Sequence, residues 1–144
     1  MNSNPSIKII IPGTLDFLRV VDKVCETVAD YMGFDEDERN GISISVIEAS
    51  TNAIQHGCGC NLSKNVVVSF EIEDDRLKVS VLDPGSGFDP SCMKCDLDAI
   101  SVEQRGRGLA IIRSFMDEVS FEFDGGTSVI MVKRKSSASQ KTGT

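Results

Sequence analysis

The apolar positions change period several times along the chain, and each change marks an element. Ile7, Ile9 and Ile11 alternate with Lys8 and Ile10 in a short first strand, which Pro12 and Gly13 stop. From Thr14 to Met32 the spacing becomes helical, through Leu15, Leu18, Val21, Val24, Cys25, Val28 and Met32, and Gly33 suits the C-terminal end. A second helix is expected to start near Asp35, where Glu36, Asp37 and Glu38 would complement the helix dipole in the first turn. It carries Ile42, Val46, Ile47, Ala49, Ala53 and Ile54 and ends at His56-Gly57.

The period then switches to two. Val66, Val68, Phe70 and Ile72 alternate with Val67, Ser69 and Glu71, Asp74-Asp75 makes a turn, and Leu77, Val79 and Val81 continue the alternation. This predicts a β-hairpin with one buried face. Residues 84–105 have no clear period and are expected to form a long functional loop. A helix from about Gly108 to Met116 places Leu109, Ile112 and Met116 on one face. Val119, Phe121 and Phe123 then mark a strand, Gly125-Gly126 a turn, and Val129 to Val132 a last strand. The order β-α-α-β-β-loop-α-β-β predicts an α+β fold, a two-layer sandwich in which helices cover one face of a mixed, mostly antiparallel sheet. Residues 1–135 would form that one domain, and the polar residues 136–144 a disordered tail.

Composition adds limits. A chain of 144 residues that is 40% hydrophobic and 26% charged fits a single domain with an ordinary core. The net charge of −7 disfavours nucleic acid and anionic membranes as partners, leaving proteins and small molecules. An anionic ligand would then depend on backbone dipoles, a bound cation and a few arginines. The start of the chain does not read as a signal peptide, and no run approaches the roughly 20 apolar residues that span a bilayer, so the cytoplasm is expected. Five cysteines, Cys25, Cys58, Cys60, Cys92 and Cys95, are read there as thiols rather than a disulfide framework.

Three segments carry candidate chemistry. Glu48, Asn52 and His56 fall at i, i+4 and i+8, on one face of the second helix, flanked by Ile47, Ala49, Ala53 and Ile54. An asparagine amide oxygen suits Mg²⁺, and a glutamate one turn away can take a proton from a hydroxyl or a water; a plain solvent-exposed face is the alternative. Asp83-Pro84-Gly85-Ser86-Gly87-Phe88-Asp89 closes a strand with glycines that let a ligand approach the backbone, and the Asp83 carboxylate can accept a hydrogen bond from an exocyclic amine. Arg105-Gly106-Arg107-Gly108-Leu109 opens a helix whose unpaired N–H groups form an anion site, with arginines suited to phosphate. The last two could also be ordinary turns.

Their order is more specific than any one of them. The stretches VIEASTNAIQHG (46–57), LDPGSGFDP (82–90), RGRGLAIIRSFMDEVSF (105–121) and GGTSVIMVKR (125–134) resemble the N, G1 and G2 boxes and late strand of the GHKL, or Bergerat-fold, ATPases. The resemblance is closest to the anti-sigma-factor serine/threonine kinases of bacterial partner-switching systems. It implies Glu48 as general base and Asn52 as the Mg²⁺ ligand between the ATP phosphates. It implies Asp83 at adenine, with Gly85 and Gly87 shaping that pocket, and Thr127 supporting the adenine end. Gly106, Arg107, Gly108 and Leu109 would lie at the phosphates, under an ATP lid of residues 89–105. It also implies a homodimer, a sigma factor as one partner and a STAS-type anti-anti-sigma protein as another. An ATP-gated binding switch without kinase activity, acting on a non-sigma target, is the alternative. The chain shows no preceding helix pair with a phosphorylatable histidine and no following transducer domain, which disfavours a histidine kinase or a gyrase-type ATPase. His56 reads as a residue closing its helix. Cys58-Gly59-Cys60 and Cys92-Met93-Lys94-Cys95 lie outside the family pattern; ordinary thiols are expected, with a zinc or redox latch as the alternative.

Overall fold

The structure is a computed structural model, and it describes residues 4–57, 63–83, 108–123 and 126–135. Strand β1 (Ser6–Pro12) leads through a 3₁₀ turn (Leu15–Phe17) into helix α1 (Leu18–Met32). Helix α2 (Glu36–Asn52) continues into a π-helical turn (Ala53–Gly57). Strands β2 (Asn65–Ile72) and β3 (Arg76–Asp83) form the expected hairpin. Helix α3 (residues 108–115) precedes β4 (Glu118–Phe123) and β5 (Thr127–Arg134).

The five strands make one sheet in the order β1-β2-β3-β5-β4, and each of these pairings is antiparallel. Alternation decides which side is covered. Val66, Val68, Phe70, Leu77, Val79, Val81 and Met131 point to one face and are buried, while their neighbours in sequence along β2 and β3 are more exposed. The helices supply the other half of the core through Val21, Cys25, Val28, Ala29 and Met32 of α1, Ile42, Val46 and Ala49 of α2, and Ile112 of α3. Phe34, in the link between α1 and α2, is fully buried as well.

Local chemistry fixes the helix boundaries. Gly33 takes a left-handed conformation (φ 82°) at the end of α1, which a residue with a Cβ adopts only with strain. Two residues on, Asp35 caps α2. Its carboxylate accepts from the Glu38 N–H at 2.8 Å, and the Asp35 N–H donates to the Glu38 carboxylate at 3.1 Å.

Three details differ from the sequence reading. Leu15, placed on the buried face of a helix from Thr14, sits in the 3₁₀ turn and is 41% exposed, because Thr14 caps that turn and the α-helix begins only at Leu18. The α-helical winding of α2 ends at Asn52 and widens through Gly57, so His56 lies on a π turn and not on the regular helical line from Glu48. Strand β5 runs further than Val129 to Val132, because β3 pairs with it along the whole length from Thr127 to Arg134. The expected tail, 136–144, lies outside the described residues.

Candidate functional site

Glu48 and Asn52 are one turn apart near the end of α2, and both are half-buried. Thr51, directly before Asn52, donates its hydroxyl back to the Ile47 carbonyl at 2.7 Å and so is engaged with its own helix. The π turn packs on β3, which brings the end of α2 that bears Asn52 to the strand that ends in Asp83.

Helix α3 approaches this face through a glycine. A Cβ placed on Gly108 would lie 2.7 Å from Glu48 Oε2 and 3.2 Å from Asn52 Nδ2. A side chain at residue 108 would therefore occupy the space that brings Glu48, Asn52 and the start of α3 together. That helix end carries unpaired N–H groups and a partial positive charge, so it suits an anion. The donor set is a carboxylate, an amide and a helix N-terminus around a bare Cα, which fits a phosphate with a hard cation.

The adenine-end candidates are also neighbours. Asp83, the last residue of β3, is the register partner of Thr127, the first residue of β5, and both are half-buried. Leu109 is half-buried in the first turn of α3. Gly85, Gly87, Gly106 and Arg107 lie outside the described residues, as do the lid segment 89–105 and Cys58, Cys60, Cys92 and Cys95. Among the described residues no group of three or more His, Cys, Asp or Glu could hold a metal, and no helix is long and apolar enough to cross a membrane. Cys25 is a buried free thiol, pushed up to about 12 by burial and then by the charge of Asp22, so it is neutral and unsuited to nucleophilic chemistry.

The polar stripe of α2 extends further than the sequence reading took it. Gly41 and Ser45 continue the line of Glu48 and Asn52 at i, i+4, i+7 and i+11. Gly41 is buried beneath Phe115, at the other end of α3, and a Cβ there would meet Phe115 Cδ1 at 2.7 Å. Ser45 is fully buried, and its hydroxyl has no hydrogen-bond partner among the described residues. The signal was present as a helical repeat of small and polar residues on one face of α2.

Comparison with known proteins identifies the family. Residues 11–133 match the model of the histidine kinase-like ATPase domain. The chain belongs to that family. A relative named serine-protein kinase RsbW from Bacillus velezensis is 32% identical over 134 residues, covering 88% of this chain and 84% of the relative. One of the same name from Bacillus subtilis is 30% identical over 139 residues, covering 92% of this chain and 87% of the relative. The family member described here is a serine/threonine protein kinase of that branch. A crystal structure of the RsbU and RsbW domains of a Mycobacterium tuberculosis protein superposes with a TM-score of 0.66 at 20% identity. It matches 90% of this chain and 32% of that longer chain, and so shows the shared fold. Membership of this ATPase family implies the use of ATP.

Proposed function

We propose that the chain transfers phosphate from ATP to a serine or threonine of a STAS-type anti-anti-sigma protein, and in its alternative complex sequesters a sigma factor. The observation that carries the kinase half is the convergence of Glu48, Asn52 and the start of α3 on the bare Cα of Gly108. A module that only bound nucleotide would have no use for a carboxylate held at the phosphate end of its site. The partner half rests on the serine-protein kinase relatives and on the acidic surface, which leaves proteins as the natural partners.

In this reading Glu48 accepts the proton of the attacking hydroxyl. Asn52 would hold Mg²⁺, which when bound supplies positive charge beside the ATP phosphates. Gly106, Arg107, Gly108 and Leu109 lie along the phosphates. Asp83 accepts from the adenine amine with Thr127 beside it, and Gly85 and Gly87 leave room for the base. The active unit is a cytoplasmic homodimer.

Radiolabel transfer from ATP to a STAS-type acceptor, compared between wild type and Glu48→Ala, tests the kinase reading; pull-down of sigma factor with and without ATP tests sequestration. Transfer by the wild type that is lost in the variant, together with sigma capture, supports both halves. Nucleotide binding with no transfer to any STAS-type acceptor would replace this function with an ATP-gated switch acting on another target.

A further inference from the structure

Helices α2 and α3 run antiparallel, and the close approaches at the two ends of the pair both involve a glycine. At one end Gly108 of α3 meets Glu48 and Asn52 of α2; at the other Gly41 of α2 meets Phe115 of α3. The residue spacing between the two points is the same on both helices (41 to 48, and 108 to 115), about 10 Å at an α-helical rise. The two contacts therefore set the pose of one short helix against the other.

We infer that Gly41 is a positioning residue for the kinase site. The bare Cα of Gly41 seats Phe115, and that seat sets how closely the start of α3 approaches Glu48 and Asn52. The inference rests on the ATP-site reading above. A Cβ on Gly41 would lie 2.7 Å from Phe115 Cδ1, 3.0 Å from Cγ and 3.1 Å from Cβ. The Phe115 Cβ is fixed by the backbone, so α3 has to give by some tenths of an ångström even if Cγ and the ring swing aside, and by more if the ring keeps its seat.

The exit of α3 resists that movement locally. Lys133 donates to the Phe115 carbonyl at 3.0 Å, and the Asp117 N–H donates to the Val132 carbonyl at 2.8 Å, so the C-terminal end of α3 is tied to β5. A wedge placed under Phe115 then tilts the helix about that tie. With the ring kept in its seat, restoring ordinary carbon–carbon contact at Cδ1 requires a shift on the order of 1 Å, and the tilt carries it to the Gly108 end. Asp83 and Thr127 lie on the sheet and do not take part.

The test uses the full chain as wild type, Gly41→Ala, Phe115→Ala and the double variant. Each is assayed for the ATP-induced rise in Tm, for KM of ATP, and for kcat of transfer to a STAS-type acceptor. Gly41→Ala is expected to keep the KM for ATP within a few-fold and to lower kcat by about 100-fold, the scale of an ångström misplacement of reacting groups. Phe115→Ala alone, which loses the seat, is expected to lower kcat by a smaller factor. The double variant deletes the ring and Cγ, leaving the 3.1 Å approach to Cβ as the one remaining close contact of the three, and is expected to regain most of the kcat lost in Gly41→Ala. Wild-type kcat in Gly41→Ala, or a loss that Phe115→Ala fails to relieve, overturns the inference. If Gly41→Ala does not fold, Phe115→Ala decides alone: an unchanged kcat overturns the inference, and a lowered kcat at unchanged KM supports it. A wild-type chain with no ATP-induced rise in Tm would overturn the ATP-site reading and the inference together.

Discussion

Among the described residues helix α2 has two helical neighbours, and it meets them with different chemistry. Its aliphatic face, Ile42, Val46 and Ala49, joins Val21, Cys25, Val28, Ala29 and Met32 of α1 and the inner face of the sheet in one buried cluster. The adjacent face, Gly41, Ser45, Glu48 and Asn52, receives α3. The first contact buries large apolar surface and is stabilising in proportion to that area. The second has little aliphatic surface on the α2 side and relies on close backbone approach at glycines. One helix thus separates the groups that hold the fold together from Glu48 and Asn52, the groups proposed to act on the substrate. Changes on the two faces should therefore be read out in different measurements.

The largest effect is expected on the α3 side. Glu48→Gln keeps the shape of the side chain and removes the proposed base, so phosphotransfer should fall by about 100- to 10,000-fold, the usual worth of a general base. The Tm should stay within a degree or two of wild type, and ATP should still raise it. A Glu48→Gln protein that loses Tm along with activity would show that the polar face also carries the fold, and the separation would fail.

Ile42→Ala addresses the other face. Ile42 is fully buried, and trimming it to alanine should cost about 2–5 kcal/mol in urea unfolding, through lost burial and the cavity left behind. The folded fraction should bind ATP as wild type does. A large loss of ATP affinity at an intact Tm would mean that the aliphatic face shapes the site directly.

The link between α1 and α2 offers a smaller test of the same division. Asp35→Ala removes one half of the reciprocal cap with Glu38 and should lower stability by about 1 kcal/mol. The cap lies at the opposite end of α2 from Asn52, so kcat should not change. A change in kcat would mean that fraying at the start of α2 reaches Glu48.

The two faces also differed in how legible they were. The aliphatic one could be read from periodicity, because Val21, Cys25, Val28 and Met32, and then Ile42, Val46 and Ala49, recur at helical spacing and are buried as expected. The hairpin was legible for the same reason at period two. Glu48, Asn52 and Gly108 could be selected by residue type and order, and the structure brings them together. Gly41 continues the repeat of small and polar residues on that face, but its pairing with Phe115 could not be selected, because hydrophobic periodicity records burial against apolar partners and carries no mark for a backbone approached closely by a ring. The π turn at Ala53–Gly57 was illegible for a related reason. Its residues Ala53, Ile54, Gln55 and His56 are compatible with an ordinary α-helix, and the wider winding occurs where that segment packs on β3.

The smallest expected effect concerns Cys25, the one thiol in the aliphatic cluster and, among the described residues, the one titratable group buried there. Burial and Asp22 push its thiol from 9.0 up to about 12 in the folded chain, while the unfolded chain titrates near the ordinary value. The folded state therefore holds the proton where the unfolded state releases it. This contribution is fully present below about pH 9 and is lost as pH rises from there toward 12. At pH 9.5 the loss is on the order of 1 kcal/mol from this one group. Cys25→Ala should lack that component, so the difference in unfolding free energy between wild type and variant should be flat from pH 7 to 8.5 and should shift in favour of the variant above 9. Alkylation followed by peptide mapping gives an independent measurement: Cys25 should stay unmodified at pH 8 in the folded protein and react on unfolding. Ready modification of Cys25 in the native state would mean that the α1–α2 face opens easily, and the contrast between a closed aliphatic face and an accessible polar one would be lost.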